Sequence, residues 1–263
     1  MLKDRVFLVA GAGNGIGLET ARHLKLAGAD ICCLDMSGSL AEAAAAEVGG
    51  LPVVADVRRD ADLKAAFELA SGWKGRLDGV VDIIGASHGN WIDDQSPERV
   101  EAELSINLTH KFGLLRHAAS HLTDGGSITL VGSVAGVMSL PRQTLYGAAK
   151  AALHHLVAGA AAELGHRGIR VNAVAPGFVR TPRMIERFSD AQWAEVSRET
   201  PLQRPGEVAE IASVLVFLAS PAASFVTGQT IIADGGLTLP LKVMRSGSDG
   251  QIRGRRDRQD GEG

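Results

Sequence analysis

Runs of apolar residues at 6–10, 31–34, 53–54, 79–84, 127–131, 170–174 and 229–233 recur along the chain, and most do not alternate with polar positions. Unalternated runs of four to six residues are what strands buried on both faces of a parallel sheet require. Between them lie amphipathic or Ala-rich stretches at 16–27, 40–48, 61–71, 97–122, 145–164 and 207–219, which predict helices. Ser96 before Pro97 is a start signal for the longest of these, and Ser189 with Gln192 forms a possible capping box opening a short, mobile helix. Strand and helix alternate without a Pro- or Ser-rich linker, so the pattern predicts one α/β domain: a Rossmann-type, doubly wound, seven-stranded parallel sheet flanked by helices.

The pattern stops near Pro240. Residues 1–240 read as one folded domain, and residues 241–263 as a polar Arg/Gly-rich tail that cannot bury enough apolar surface to fold alone. Composition adds exclusions. With 45% hydrophobic residues in 263 the chain can build its own core, and 27 basic against 30 acidic residues give no positive field for nucleic acid. The two cysteines, Cys32 and Cys33, are adjacent, which is poor geometry for a disulfide and fits a reducing compartment. No run approaches the length of a membrane span, and the chain reads as soluble and cytoplasmic.

The first predicted strand runs into Ala10-Gly11-Ala12-Gly13-Asn14-Gly15-Ile16-Gly17. Glycines there permit a tight turn and let main-chain N–H groups at a helix start approach a pyrophosphate. Asp35 ends the second strand 18 positions after Gly17, where an acid bonds the ribose hydroxyls of a bound dinucleotide. A carboxylate there repels a 2′-phosphate, and Asn14, Met36 and Ser37 offer no cation to accept one, so NAD(H) is favoured over NADP(H). Farther on, Tyr146 and Lys150 stand one helical turn apart, 13 residues after Ser133. A Lys150 cation beside the phenol favours its ionised form, and Ser133 is placed to orient a substrate oxygen.

Taken together, these residues resemble the short-chain dehydrogenase/reductase family over residues 1–240. The matches are Gly11, Gly15, Gly17, Asp35, Asp56-Val57, Asn107, Ser133, Tyr146, Lys150, Asn172, Pro176-Gly177, Thr181, Thr227-Gly228-Gln229 and Asp234-Gly235-Gly236. The resemblance implies a catalytic tetrad of Asn107, Ser133, Tyr146 and Lys150, with Asn107 supporting a water relay from Lys150. It implies a cofactor site of Gly11, Asn14, Gly15, Ile16, Gly17, Asp35, Asp56, Val57, Tyr146, Lys150, Pro176, Gly177, Val179 and Thr181. Asp56 and Val57 would meet the adenine and Thr181 the carboxamide. A homotetramer is also implied.

Two departures stand out. Ala10 replaces a Thr that usually tethers the glycine turn, and Asp82-Ile83-Ile84-Gly85 replaces the usual Asn-Asn-Ala-Gly, so apolar packing is expected where a hydrogen bond is lost. Asp82, an acid in an apolar strand, needs a partner or a raised pKa, and is read as structural. His110, His117 and His121 lack companion acids or cysteines in a metal-binding spacing, and no metal site is expected. Val134, Met138, Phe178, Met184 and Phe188 predict a mainly apolar substrate pocket, with Arg183 or Arg142 near it for a carboxylate. The expected activity is NAD-dependent interconversion of a secondary alcohol and a ketone. The alternatives are an NADPH-linked 3-oxoacyl-type reductase and a non-catalytic dinucleotide-sensing scaffold.

Overall fold

A computed structural model describes residues 1–239; the tail read at 241–263 lies outside them. The elements alternate as predicted: β1 (Val6–Ala10), α1 (Gly15–Leu26), β2 (Asp30–Asp35), α2 (Gly38–Val48), β3 (Leu51–Val54), α3 (Asp60–Trp73), β4 (Gly79–Asp82), α4 (Pro97–Leu104), α5 (His110–His121), β5 (Ser127–Val131), α6 (Thr144–Leu164), β6 (Arg170–Pro176), α7 (Pro182–Arg187), α8 (Asp190–Glu199), α9 (Val208–Ala219) and β7 (Thr230–Ala233). The seven strands pair in parallel in the order β3-β2-β1-β4-β5-β6-β7. Chain progression reverses between β1 and β4, where Ala10 pairs in register with Asp82. A crevice at the carboxyl ends of the strands opens at that switch point.

Successive residues of a strand face opposite ways, so each β-run feeds two cores. On one face Leu8, Cys32 and Val80 pack with Leu63 and Phe67 of α3, Leu114 of α5 and Leu153 of α6. On the other, Val9, Cys33 and Val81 pack with Leu24 of α1, Val48 of α2 and Leu215 of α9. Both cysteines are therefore buried, and burial pushes each thiol up to about 12.

Two sequence expectations need correction. The helix expected over 97–122 is interrupted: a π-helical turn, Ser105–Thr109, separates α4 from α5 and carries Asn107. Such turns concentrate at functional sites. The strand expected over 79–84 stops at Asp82, because Asp82 Oδ1 accepts the Ile84 N–H at 2.9 Å and turns the chain out of the sheet. The cap signals hold. Ser96 Oγ accepts the Arg99 N–H, and Ser189 and Gln192 form the reciprocal box that opens α8.

Candidate active site

Loops at the carboxyl ends of β1 to β6 build the site. After β1 the chain enters a turn in which Gly11 has φ +84°, and a side chain at Gly17 would overlap the Gly11 carbonyl. Nothing but glycine fits at either point. Asn14 precedes α1 without a side-chain cap, so no side chain of its own covers the helix's first N–H groups. Asp35 sits beside them: Oδ2 accepts the Gly13 N–H at 3.2 Å and Oδ1 accepts the Ser37 N–H at 3.0 Å. From the opposite side Thr181 Oγ1 caps α7 through the Met184 N–H, and the adjoining Pro182 approaches Gly15. Gly177, after Pro176 at the end of β6, is pressed against Asp234, while Val179 is buried and bridges to Gly206. Asp56 is clasped by Arg58, with Nη2 2.6 Å from Oδ2, and Val57 turns its side chain into the core. Contact of Val57 with an adenine would fall to its main chain.

Ser133 follows β5 and caps a 3-10 turn, Val134–Gly136, through the Ala135 N–H. Its hydroxyl hydrogen-bonds the Tyr146 phenol. One turn along α6, Lys150 Nζ lies 5.5 Å from the Tyr146 ring centroid and donates to the Val131 carbonyl at 2.9 Å. The electrostatics differ from the sequence expectation. Burial pushes the phenol above its ordinary value, opposed by the Ser133 bond, and pushes Lys150 down to about 7, with the Lys111 charge acting the same way. In both cases burial penalises the charged form.

Asn107 is fully buried: Nδ2 donates to the Ala86 carbonyl at 2.7 Å and the Glu103 carbonyl at 3.0 Å, and Oδ1 accepts the Ala86 N–H at 3.1 Å. It thereby fixes the loop after β4. Gly85 in that loop lies between the Asn107 side-chain oxygen and Lys150 Nζ, each 3.0 Å from where a Cβ would stand.

Beneath the loop, Asp82 is fully buried and finds partners the sequence did not reveal. Lys111 Nζ donates to its Oδ2 at 2.6 Å and to the Ile84 carbonyl at 2.9 Å, and His110 Nε2 lies 3.1 Å from the same carboxylate oxygen. Burial raises the Asp82 carboxyl, but the charges of Lys111 and His110 with their hydrogen bonds more than reverse this and hold it below the usual carboxylate range. Ile83 and Ile84 do pack against Gly11, as apolar packing predicted, yet the larger change is a buried ion pair. Nothing in the sequence of α5 marked Lys111 as interior. His117 bonds Asp60, and among the described residues no group of three potential ligands converges on one point.

A cavity of about 350 Å³ adjoins these loops, lined by Met138, Phe178, Phe188, Val196, Pro201 and Leu237 among others. Phe188 lies between Phe178 at 5.7 Å and Trp193 at 5.1 Å, its ring tilted by 45° and 46° to theirs. Of the five pocket residues expected from sequence, Met138, Phe178 and Phe188 line it; Val134 is instead buried in the 3-10 turn after Ser133, and Met184, in the first turn of α7, is not part of its wall. The contribution of residues 236–239 was not foreseen, since they follow the last strand and carry no pattern.

The parallel sheet with its switch-point crevice, glycine turn and Ser/Tyr/Lys cluster defines an oxidoreductase of the nicotinamide-dinucleotide-binding class. Residues 11–238 match the family profile described as enoyl-(acyl carrier protein) reductase. The chain is 34% identical over 245 residues to the 3-oxoacyl-acyl-carrier-protein reductase of Thermotoga maritima, covering 90% of this chain and 99% of that one. It is 34% identical to 2-(S)-hydroxypropyl-CoM dehydrogenase 3 of Xanthobacter autotrophicus, covering 90% and 98% of the two chains. Among solved structures, a 7α-hydroxysteroid dehydrogenase complexed with NADH and 7-oxo glycochenodeoxycholic acid superposes with a TM-score of 0.84 at 29% identity, covering 89% of this chain and 94% of that chain. The chain belongs to the short-chain dehydrogenase/reductase family.

Proposed function

We propose that the chain is an NAD(H)-dependent oxidoreductase interconverting a secondary alcohol and a ketone, with residues 1–240 as the catalytic domain. The observation that carries this reading is the convergence of Ser133, Tyr146, Lys150 and Asn107 on one side of a crevice whose other side is the glycine turn with Asp35. The cradle fits a dinucleotide: Gly13 N–H already bonds a carboxylate, and a Cβ at Gly13 would lie 2.5 Å from Asp35 Oδ2, so the turn is shaped for close main-chain approach. Gly11, Asn14, Gly15, Ile16 and Gly17 would hold the pyrophosphate, Asp35 the ribose, Asp56 and Val57 the adenine, and Pro176, Gly177, Val179 and Thr181 the nicotinamide end. When bound, the nicotinamide supplies the hydride acceptor or donor and, oxidised, a positive charge.

The chain's own residues supply the rest. In oxidation Ser133 holds the substrate oxygen and the Tyr146 phenolate takes that oxygen's proton as a hydride leaves the carbon bearing it; reduction is the reverse. Lys150 stabilises the phenolate, and Asn107 fixes the loop beside it. The cavity lined by Phe178 and Phe188 receives an apolar substrate body. Turnover of cyclohexanol, 1-phenylethanol, a hydroxysteroid and a 3-hydroxyacyl thioester with NAD⁺ identifies the substrate class; failure with every one removes the reading. The thioester also tests the second reading, a 3-oxoacyl-type reductase, which the 34% identical Thermotoga relative favours.

Asp35 makes a sharp prediction about cofactor choice. NADH binds about tenfold or more tightly than NADPH by fluorescence titration, and Asp35→Ala narrows that ratio by removing charge repulsion from a 2′-phosphate. Equal affinities in the unmutated protein contradict it. The reading includes assembly as a homotetramer, supported by the outward-facing Phe112, Phe217 and Phe225. Light scattering at micromolar concentration checks this, and a persistent monomer is the contrary result. Among the described residues no helix is long and apolar enough to cross a membrane.

A further inference from the structure

Glu103 is the one buried side chain of α4, a place where an amphipathic helix puts an apolar residue. Carboxylates are almost never buried unless paired, because desolvating the charge is costly. Its partner is His88: Nδ1 lies 2.6 Å from Glu103 Oε2, while the two side chains are 57% and 8% exposed respectively. The dyad thus joins a buried carboxylate to an imidazole open to solvent.

The inner end of the dyad faces the reactive groups. Glu103 Oε1 has only a long contact, 3.5 Å from Asn107 Nδ2, so it keeps room to accept a further hydrogen bond. Asn107 lies one turn along the same helical path and shares the space at Gly85 with Lys150 Nζ. The charge of Glu103 is felt at Tyr146, Lys150 and Arg183. Asp82, the other acid whose field reaches Lys150, is already committed to Lys111, His110 and the Ile84 N–H.

We propose that Glu103 and His88 form the outer end of a proton relay, carrying the proton taken up by Tyr146 from Lys150 to solvent. The proposal rests on the alcohol/ketone reading above. In oxidation the phenol proton passes to the neutral Lys150 amine, whose ammonium releases one proton through a bridging water to Glu103 Oε1. The resulting carboxyl passes a proton to His88 Nδ1, and the imidazolium loses its Nε2 proton to bulk water. One proton enters and one leaves, and the hydride carries both electrons to the nicotinamide. In reduction the same groups deliver the proton inward. The dyad gives the path a titratable, solvent-facing terminus.

Stopped flow with NAD⁺ and the fastest alcohol of the panel, in weak buffer with phenol red, follows NADH and released protons separately. In the unmutated enzyme the two signals rise together. In Glu103→Gln, which keeps the shape and hydrogen bonds but cannot carry a proton, and in His88→Ala, proton release lags NADH by about tenfold. Adding imidazole to tens of millimolar restores His88→Ala and not Glu103→Gln, an outcome a purely structural role does not produce. NADH binding, followed by fluorescence, stays within about twofold in both variants. Proton release that keeps pace with NADH in both variants overturns the relay. If Tyr146→Phe also retains activity, the catalytic reading itself has failed; if Tyr146→Phe is inactive, the relay alone has failed.

Discussion

Tyr146→Phe is expected to lower turnover by about a hundredfold or more while the fold and NADH binding survive. The ring and its packing at the start of α6 remain, and only the transferable proton is lost. Lys150→Ala is expected to impair turnover and cofactor binding together, because it removes the amine beside the phenol and with it one residue assigned to the proposed cofactor site. Oxidation requires the phenolate, so its rate rises with pH through one ionisation. Burial already raises the phenol, and removing Lys150, whose Nζ stands 5.5 Å from the ring centroid, takes away the amine that stabilises the phenolate once it holds the proton, so that step moves to higher pH in the variant. Circular dichroism and NADH fluorescence confirm that the variants are folded, and pH–rate profiles read the shift. Full activity in Tyr146→Phe on a verified substrate means that the proton passes through another group.

The second large effect concerns stability. Lys111→Met is expected to cost about 3–5 kcal/mol, because it strips the fully buried Asp82 carboxylate of its ammonium partner and leaves it only His110 and the Ile84 N–H. Asp82→Asn combined with Lys111→Met should recover more than half of that loss, since the amide oxygen still accepts the Ile84 N–H and no buried charge remains. Urea unfolding at pH 7 measures both. A double variant as unstable as the single one would show that the pair matters for more than its charge balance. The wild-type contribution also depends on pH. With its folded carboxyl depressed, Asp82 stabilises the protein above its unfolded value of about 4, and this is lost as pH falls through the lower folded value.

The seven strands and their order of alternation were legible because burial on both faces forces unbroken apolar runs, a signal carried within each segment. The clustering of Ser133, Tyr146 and Lys150 was equally local: one strand end, one turn and one helical step fix their separation. What escaped the sequence depends on contacts between segments. The π-turn at 105–109 looks like ordinary helix in its residues; it exists where Asn107 is pulled onto Ala86 and His110 Nδ1 meets the Ser105 carbonyl. Nothing in the local sequence marks Lys111 or Glu103 as interior, and only the position of Asp82 and His88 across the fold explains their burial. The cavity wall at 236–239 was hidden for the same reason, having no periodicity of its own to mark it.

The adjacent cysteines of β2 carry a practical consequence. Cys32 belongs to the core under α3, α5 and α6, and Cys33 to the core under α1, α2 and α9. Held protonated and sealed from solvent, neither reacts while its own layer stays closed. A single dipeptide therefore contains two independent clocks for local opening. Timed alkylation followed by peptide mass analysis distinguishes helices lifting from one side of the sheet from helices lifting from the other, with no engineered label.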